Sequence, residues 1–412
     1  MANSASRRSI LGAGLGLIGA QIFSVNVAWS QQPTSDVTFV SDFDELWRTL
    51  SERYCFFGEK QTDWRAVRRL YRPQAQAATS YAEFASVMAK VLNELYDAHT
   101  SLNDSPAEGP RGPYFDVWVE PNRDGTALIT SVRDGSAAAD AGVVRNDTIL
   151  AVDDVPVDTI AAEFMPKCLV RPDAAAMAFA LNSAVSGRIA QPRTLSLRTA
   201  SGDTRNVLIP VKTRQELPNV ESRILGGAIG YIVIRSFADD AVVAAVDDAL
   251  LAMRDTQGLI IDVRQNGGGD TAVARPIMGR FISEPKPYAR MRRRQGSGLT
   301  APWTEMVEPR GPFTYRAPVA VLTSRWSASM AEGFPMGMRG IGRGTIVGTP
   351  MMRLGAAVFP LRLDRTGLQL QYSAEPVYDV QDRPRWHLHP DILVENGEDV
   401  LAVAVANLNR AD

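Results

Sequence analysis

Apolar residues recur at three- and four-residue steps near the start of the chain, in "DVTFVSDFDELWRTLSERYCFFGEKQTDW". Phe43, Leu46, Trp47 and Leu50 share one face there, which predicts an amphipathic helix. A second stripe, Phe84, Val87, Met88, Val91, Leu92 and Leu95, predicts another helix beginning near Ser80. Ser80 and Glu83 have capping-box spacing. His99 is therefore expected just past a helix end, where an exposed turn begins. From about residue 112 to 213 the period changes. "YFDVWVEP", "TALITSV", "NDTILAVDDVPV" and "RTLSLRTASGDTRNVLIPV" alternate or run apolar between Gly and Asp turns, which predicts strands. "DAAAMAFALNSAVSGR", 173–188, predicts a helix within or beside them.

Beyond about residue 215 the pattern mixes both periods. "GGAIGYIVIRSF", "GLIIDVRQNGGGD", "APVAVLTS", "GTIVGTP" and "GLQLQYSAEPVYDV" predict strands, with "DDAVVAAVDDALLAMRD" and "SMAEGFPMGMRGI" as helices between them. Strands alternating with helices argue for a layered α/β core with parallel crossovers. "ARMRRRQGSG", 289–298, is expected to be a solvated basic loop. The expected fold class is thus α/β multidomain. An export signal spans 1–30, a helical segment 37–108, a β domain 112–213 and an α/β core 214–412.

Composition narrows the function classes. The 412 residues carry a formal net charge of −2, which gives no reason to expect a nucleic-acid partner. At the N-terminus, Arg7-Arg8 precede a Gly/Ala-rich apolar run, and Ala28-Trp29-Ser30 forms a small-x-small cleavage site. This stretch resembles a twin-arginine export signal, with a general secretory signal or an uncleaved anchor as alternatives. The mature form, from near Gln31, is expected to be periplasmic or secreted and not membrane-spanning. Cys55 and Cys168 would then meet an oxidising compartment as a disulfide or as two buried thiols. Pairing requires Cα atoms within about 7 Å.

The candidate chemistry lies in "VLTSRWSASMAEGF", which reads as strand, turn and helix start. Ser327 and Ser329 sit in the turn, and a serine there serves as an N-cap or as a nucleophile. "DVRQNGGGD" ends another strand in glycines whose bare N–H groups can face a cleft. An acyl-transfer site needs two such donors about 3 Å from the developing oxyanion. Gly268 or Gly269, with Met330, are the candidates.

Two resemblances follow from these motifs. "ALITSV", "DGSAAADAG" and "NDTILAVDDVPV", in that order, resemble a PDZ domain, a module that adds an extended peptide to a sheet edge. The chain as a whole is similar to the C-terminal processing (tail-specific) peptidases and the tricorn-core peptidases. "FDELWRTLSERYCFFGEKQTDW" and "LYDAHTSL" resemble the helical segment of tricorn-like members, while "GYIVIRSF", "GLIIDVRQNGGG" and "VLTSRWSASMAEGF" resemble the core motifs. The resemblance implies a layered, crotonase-like peptidase core with Ser329 as nucleophile and Ser327 as a structural residue. Processing peptidases use a lysine about 25 residues after the nucleophile, but Leu354 stands there and no lysine follows Lys286. Arg353 cannot substitute, because a guanidinium does not deprotonate near neutral pH. The tricorn-like branch uses a histidine, and "YDAHTSL" implies His99 as the general base.

The resemblance also implies an orienting glutamate, but Pro384 falls near its position; Asp382 and Glu375 are the tentative substitutes. His387 and His389, read as one face of a strand, offer two metal-type ligands without a third, so neither a metal nor another cofactor is expected. The implied activity is serine-type peptide hydrolysis that rises with pH through an ionisation at roughly 6–7.5. Expected partners are peptides or unfolded proteins held in the PDZ-like groove. A weak or inactive peptide-binding relative is the alternative, and a non-peptidase hydrolase a third reading. Oligomeric state is left open.

Overall fold

The computed structural model describes residues 36–103, 109–213, 216–394 and 398–410. The stretch expected to be an export signal, 1–30, therefore lies outside the described residues.

Three helices open the fold: α1 (Asp36–Arg53), α2 (Trp64–Ala77) and α3 (Tyr81–Asn93). Asp63 caps α2 by accepting the N–H groups of Arg65 and Ala66, each at 2.9 Å. Ser80 caps α3 by accepting the Glu83 N–H at 3.2 Å. The reciprocal half of the box is displaced, since Glu83 takes the Thr79 N–H at 2.8 Å. The stripe Phe84, Val87, Met88, Val91 and Leu92 is buried, as its spacing predicts. This helical segment does not close on itself. Its core is shared with Leu363, Leu368, Leu370, Tyr372 and Ala374 from far along the chain.

The middle of the chain is a sheet of β1 (Val117–Pro121), β2 (Ala127–Val132), β3 (Thr148–Val152), β4 (Arg193–Arg198) and β5 (Thr204–Ile209), paired in that order. Helix α4 (Ala174–Ser186) packs against β1. Its buried Asn182 accepts the Val119 N–H and donates to the Val119 oxygen, both at 2.9 Å, so a side-chain amide substitutes for a strand partner.

The remainder holds a second sheet, whose strands are β6 (Val220–Leu225), β7 (Ile229–Ile234), β8 (Gly258–Asp262), β9 (Val319–Thr323), β10 (Thr345–Gly348) and β11 (Ile392–Leu393). All pair in parallel except the edge strand β6. β8 and β9 are buried at every position, because helices cover both faces of a parallel sheet; hence their unbroken apolar runs. Asp262 pairs with Leu322, and Thr323 with Gly348. Three adjacent strands thus end side by side, and the segments after them, 263–270, 324–329 and 349–354, gather at one edge.

A long strand, Gln369–Tyr378, ties the helical segment to this edge: Ser101 pairs with Gln371 and Leu102 with Leu370. The basic stretch 289–298 is solvated mainly toward its end, where Gln295, Gly296, Ser297 and Gly298 are exposed. Its first part belongs to strand Lys286–Met291, and Arg292 and Arg293 are held by Asp382 and Glu375. Arg294 donates to the Ser51 oxygen at 3.2 Å. Cys55 and Cys168 are separate buried thiols. No helix among the described residues is long and apolar enough to cross a membrane.

Candidate active site

The turn after β9 separates its two serines by environment. Ser327 is fully buried; its hydroxyl donates to the Val263 oxygen at 2.8 Å and accepts the Ser324 N–H at 3.0 Å. Ser329 is only partly buried and stands immediately before the helix Met330–Gly340 at φ +54°, ψ −115°. Few non-glycine residues tolerate that backbone, and such strain collects at functional sites. Its hydroxyl stands in a capping-box position but makes no cap hydrogen bond of good geometry; the Glu332 N–H goes to the Ser329 backbone oxygen at 2.9 Å. The helix is capped instead by Glu332, which takes the Ser329 N–H at 3.0 Å.

Gly268 lies against this serine. A Cβ on Gly268 would meet the Ser329 Cβ at 2.8 Å and the Met330 nitrogen at 3.2 Å, and its φ is +109°. Only glycine fits there. The Gly268 N–H is nevertheless taken by the Asn266 side chain at 2.7 Å, which removes it from the candidate oxyanion donors. Gly269 and Met330 remain. Met330 begins a helix, where the first N–H groups have no intrahelical acceptor. No backbone acceptor among the described residues takes the Gly269 N–H.

His99 is 3% exposed, not on an open turn. Pairing of Ser101–Leu102 with the long strand draws its loop inward, and Gln371 Nε2 holds the His99 oxygen at 3.1 Å. Both ring nitrogens are buried without a hydrogen-bond partner of good geometry. Burial pushes the imidazole down to about 4; nearby Arg385 adds to this, and Asp97 and the Ala356 backbone pull the other way. The ionisation expected at 6–7.5 is therefore displaced to acid pH.

Three residues that the motifs did not single out stand beside the histidine or the serine. Asp97 accepts the His99 backbone N–H at 3.0 Å and the Ser373 hydroxyl at 2.8 Å, fixing the loop rather than the ring. Burial opposes the Asp97 charge, and nearby Lys60, itself partly buried, leads the groups that hold the carboxyl low. Glu332 accepts Ser329, Leu354 and Arg353 N–H groups at 3.0, 2.8 and 2.9 Å. Burial raises its carboxyl to about 7 against those bonds and the Arg385 charge. Arg385, 5% exposed, donates to the Leu354 oxygen and, at 3.1 Å, to the Ala356 oxygen. Glu332 was legible, since Ser329-x-x-Glu332 has capping-box spacing; Asp97 stood inside the histidine motif. Nothing in the sequence marks Arg385 as buried.

The two candidate orienting acids stand elsewhere. Asp382 pairs with Arg292, and Glu375 accepts Arg293 Nε at 2.8 Å; neither is hydrogen-bonded to the His99 ring. Their places beside Arg292 and Arg293 commit both carboxylates to ion pairs. His387 ends a short 3-10 turn and His389 lies in the following loop, both exposed, so no strand aligns their rings.

Comparison with known proteins finds three family models along the chain. Residues 36–93 match the tricorn protease C1 domain, 128–163 the PDZ domain and 228–394 peptidase family S41. The carboxy-terminal processing protease CtpB of Bacillus subtilis (strain 168) is 26% identical over 277 residues, which is 63% of this chain and 51% of the relative. The chain thus spans about half the length of that relative. A carboxyl-terminal-processing protease of Picosynechococcus sp. (strain ATCC 27264 / PCC 7002 / PR-6) is 23% identical, over 76% of this chain and 73% of the relative. In fold, the chain resembles mature CPAF complexed with lactacystin, with a TM-score of 0.60, 16% identity, and 91% and 97% of the two chains covered. The photosystem II D1 C-terminal processing protease has a TM-score of 0.56 at 17% identity, covering 88% of this chain and 94% of that one.

Proposed function

We propose, from the premise that residues 228–394 belong to peptidase family S41, that the chain is a serine endopeptidase with Ser329 as nucleophile and His99 as general base. One observation carries the reading: a strained serine with an uncommitted hydroxyl stands against a glycine that leaves the adjacent Met330 N–H uncovered. In this mechanism the Ser329 oxygen attacks a peptide carbonyl while His99 takes its proton. The oxyanion is stabilised by the Gly269 and Met330 N–H groups. The protonated imidazole returns the proton to the leaving amine, and water then hydrolyses the acyl ester by the same route. A neutral imidazole is the competent base, and burial beside Arg385 favours that form. The PDZ domain would hold an extended stretch of the substrate. The arginine pair near the N-terminus supports export, and Arg7→Lys with Arg8→Lys tests the twin-arginine route by the location of the protein.

The deciding experiment is labelling with a serine-reactive phosphonate, read by mass spectrometry. Modification at Ser329 that disappears in Ser329→Ala is the expected result. A second reading, a slow or inactive centre on a peptide-binding protein, is favoured by the His99 ring, which has a cation nearby and no carboxylate bonded to it. Peptide binding without labelling or turnover would select it.

A further inference from the structure

Arg325 and Arg353, from separate segments, meet at an aromatic shelf beside the nucleophile turn. The Tyr114 and Trp118 rings stack at 3.9 Å, and the Arg325 guanidinium lies 4.9 Å over Trp118. Trp326 Nε1 donates to the Tyr114 oxygen at 3.0 Å, seating this shelf on the turn that carries Ser329. The Met352 N–H reaches the Ser327 oxygen at 3.1 Å, so the segment bearing Arg353 runs alongside. Arg325 is partly buried and is disfavoured as a cation by burial, then by Arg353 and, more weakly, by Arg145. Glu120 is the one carboxylate whose charge opposes this, and it lies exposed on β1. Among the described residues, no ion pair joins Arg145, Arg325 or Arg353 to an acid. Mutually repelling cations stand together here without a paired anion, Arg325 partly buried and Arg145 and Arg353 exposed.

We propose that Arg325 and Arg353, on the Tyr114–Trp118 shelf, form a subsite for a substrate carboxylate, presented by an Asp or Glu side chain near the scissile bond. The proposal deepens the peptidase reading and rests on it. The guanidinium fork matches a carboxylate in two parallel hydrogen bonds. The shelf removes one side of Arg325 from water, which strengthens that pairing relative to a fully exposed one. Arg325 is four positions before Ser329, and Arg353 donates its N–H to the Glu332 carboxylate that also holds the Ser329 N–H. A bound acid there would sit close to the reacting carbonyl.

The test uses pairs of internally quenched peptides that differ only in Glu against Gln, scanned along the residues flanking the cleaved bond, each with a free or amidated C-terminus. At one flanking position Glu should raise kcat/KM by about tenfold, the range of one charge-assisted hydrogen bond. The preference should weaken in salt and survive amidation. Arg325→Gln and the exposed Arg353→Gln should each reduce it, with cleavage of the Gln peptide kept within about threefold. Binding of the same peptides to Ser329→Ala, read by fluorescence anisotropy, separates the two readings. Tighter binding of Glu peptides without wild-type turnover would leave the subsite standing and remove the peptidase. Equal cleavage and equal binding of Glu and Gln peptides would overturn the subsite and leave the peptidase. A preference that follows the free C-terminus, or one unchanged in Arg353→Gln, would also overturn it.

Discussion

The Gly268 backbone lies so close to Ser329 that an added Cβ would stand 2.8 Å from the serine Cβ. That contact is shorter than real Cβ atoms show, and Gly268 also adopts φ +109°. Gly268→Ala should therefore displace the serine or the 268–269 turn. Turnover of a peptide substrate should fall by about a hundredfold or more, the range associated with losing one oxyanion donor. Steady-state kinetics with a folded variant, checked by circular dichroism, measures this.

Ser329→Ala should abolish turnover, by at least about a thousandfold, with little change in stability, because the Ser329 backbone oxygen, which the substitution keeps, holds the Glu332 and Gly333 N–H groups. Ser327→Ala should act the other way. It loses one buried and one partly buried hydrogen bond and should cost about 1–3 kcal/mol in denaturant unfolding, while part of the activity remains.

The pH profile follows from His99. Its folded-state ionisation is depressed below the ordinary 6.5, to about 4, and the neutral ring is the working form. Activity should rise with pH through an acidic ionisation and be level by pH 6.5. Stability has the same sign: above 6.5 both states hold a neutral ring, and as pH falls toward 4 the unfolded chain binds the proton first, so folding weakens. His99→Gln should abolish turnover and flatten that part of the stability curve.

Arg385 acts on His99 through its charge and on the 354–356 backbone through two hydrogen bonds. Arg385→Gln removes the charge and keeps a donor. The midpoint of the pH–kcat/KM profile should move upward, toward the ordinary imidazole value. A purely structural arginine would lower activity without moving the midpoint.

Glu332 carries the opposite stability slope. Burial raises its carboxyl to about 7 in the fold, so between the ordinary carboxylate value of 4.5 and 7 the folded state keeps a proton that the unfolded chain has released. Its share of stability falls as pH rises through that window. Glu332→Gln should remove this slope. A carboxamide also lacks the second acceptor oxygen for the three N–H groups, at a cost of about 1–3 kcal/mol and a large loss of kcat. Unfolding midpoints measured from pH 4.5 to 7 show both effects.

Much of the architecture was written locally. The helical stripes, the PDZ motif and the unbroken apolar runs of β8 and β9 are short-range patterns, because burial of one helical face or of both sheet faces demands them position by position. Ser329 and the glycines stood in recognisable turns for the same reason. Long-range pairing decided the rest. Parallel register set the 263–270, 324–329 and 349–354 segments side by side, and the pairing of Ser101–Leu102 with a strand some 270 positions later buried His99 beside Arg385 and the Ala356 backbone. Which N–H groups stay free was also tertiary: Asn266 claims Gly268, and Glu332 claims Ser329, Arg353 and Leu354. The fate of each charge depended likewise on what the fold placed beside it. Asp382 and Glu375 went to neighbouring arginines, and Arg385 was buried beside the histidine. Periodicity reports which face of an element is covered; it carries no record of the partner that covers it, so the electrostatics of the site exist only once the chain has closed.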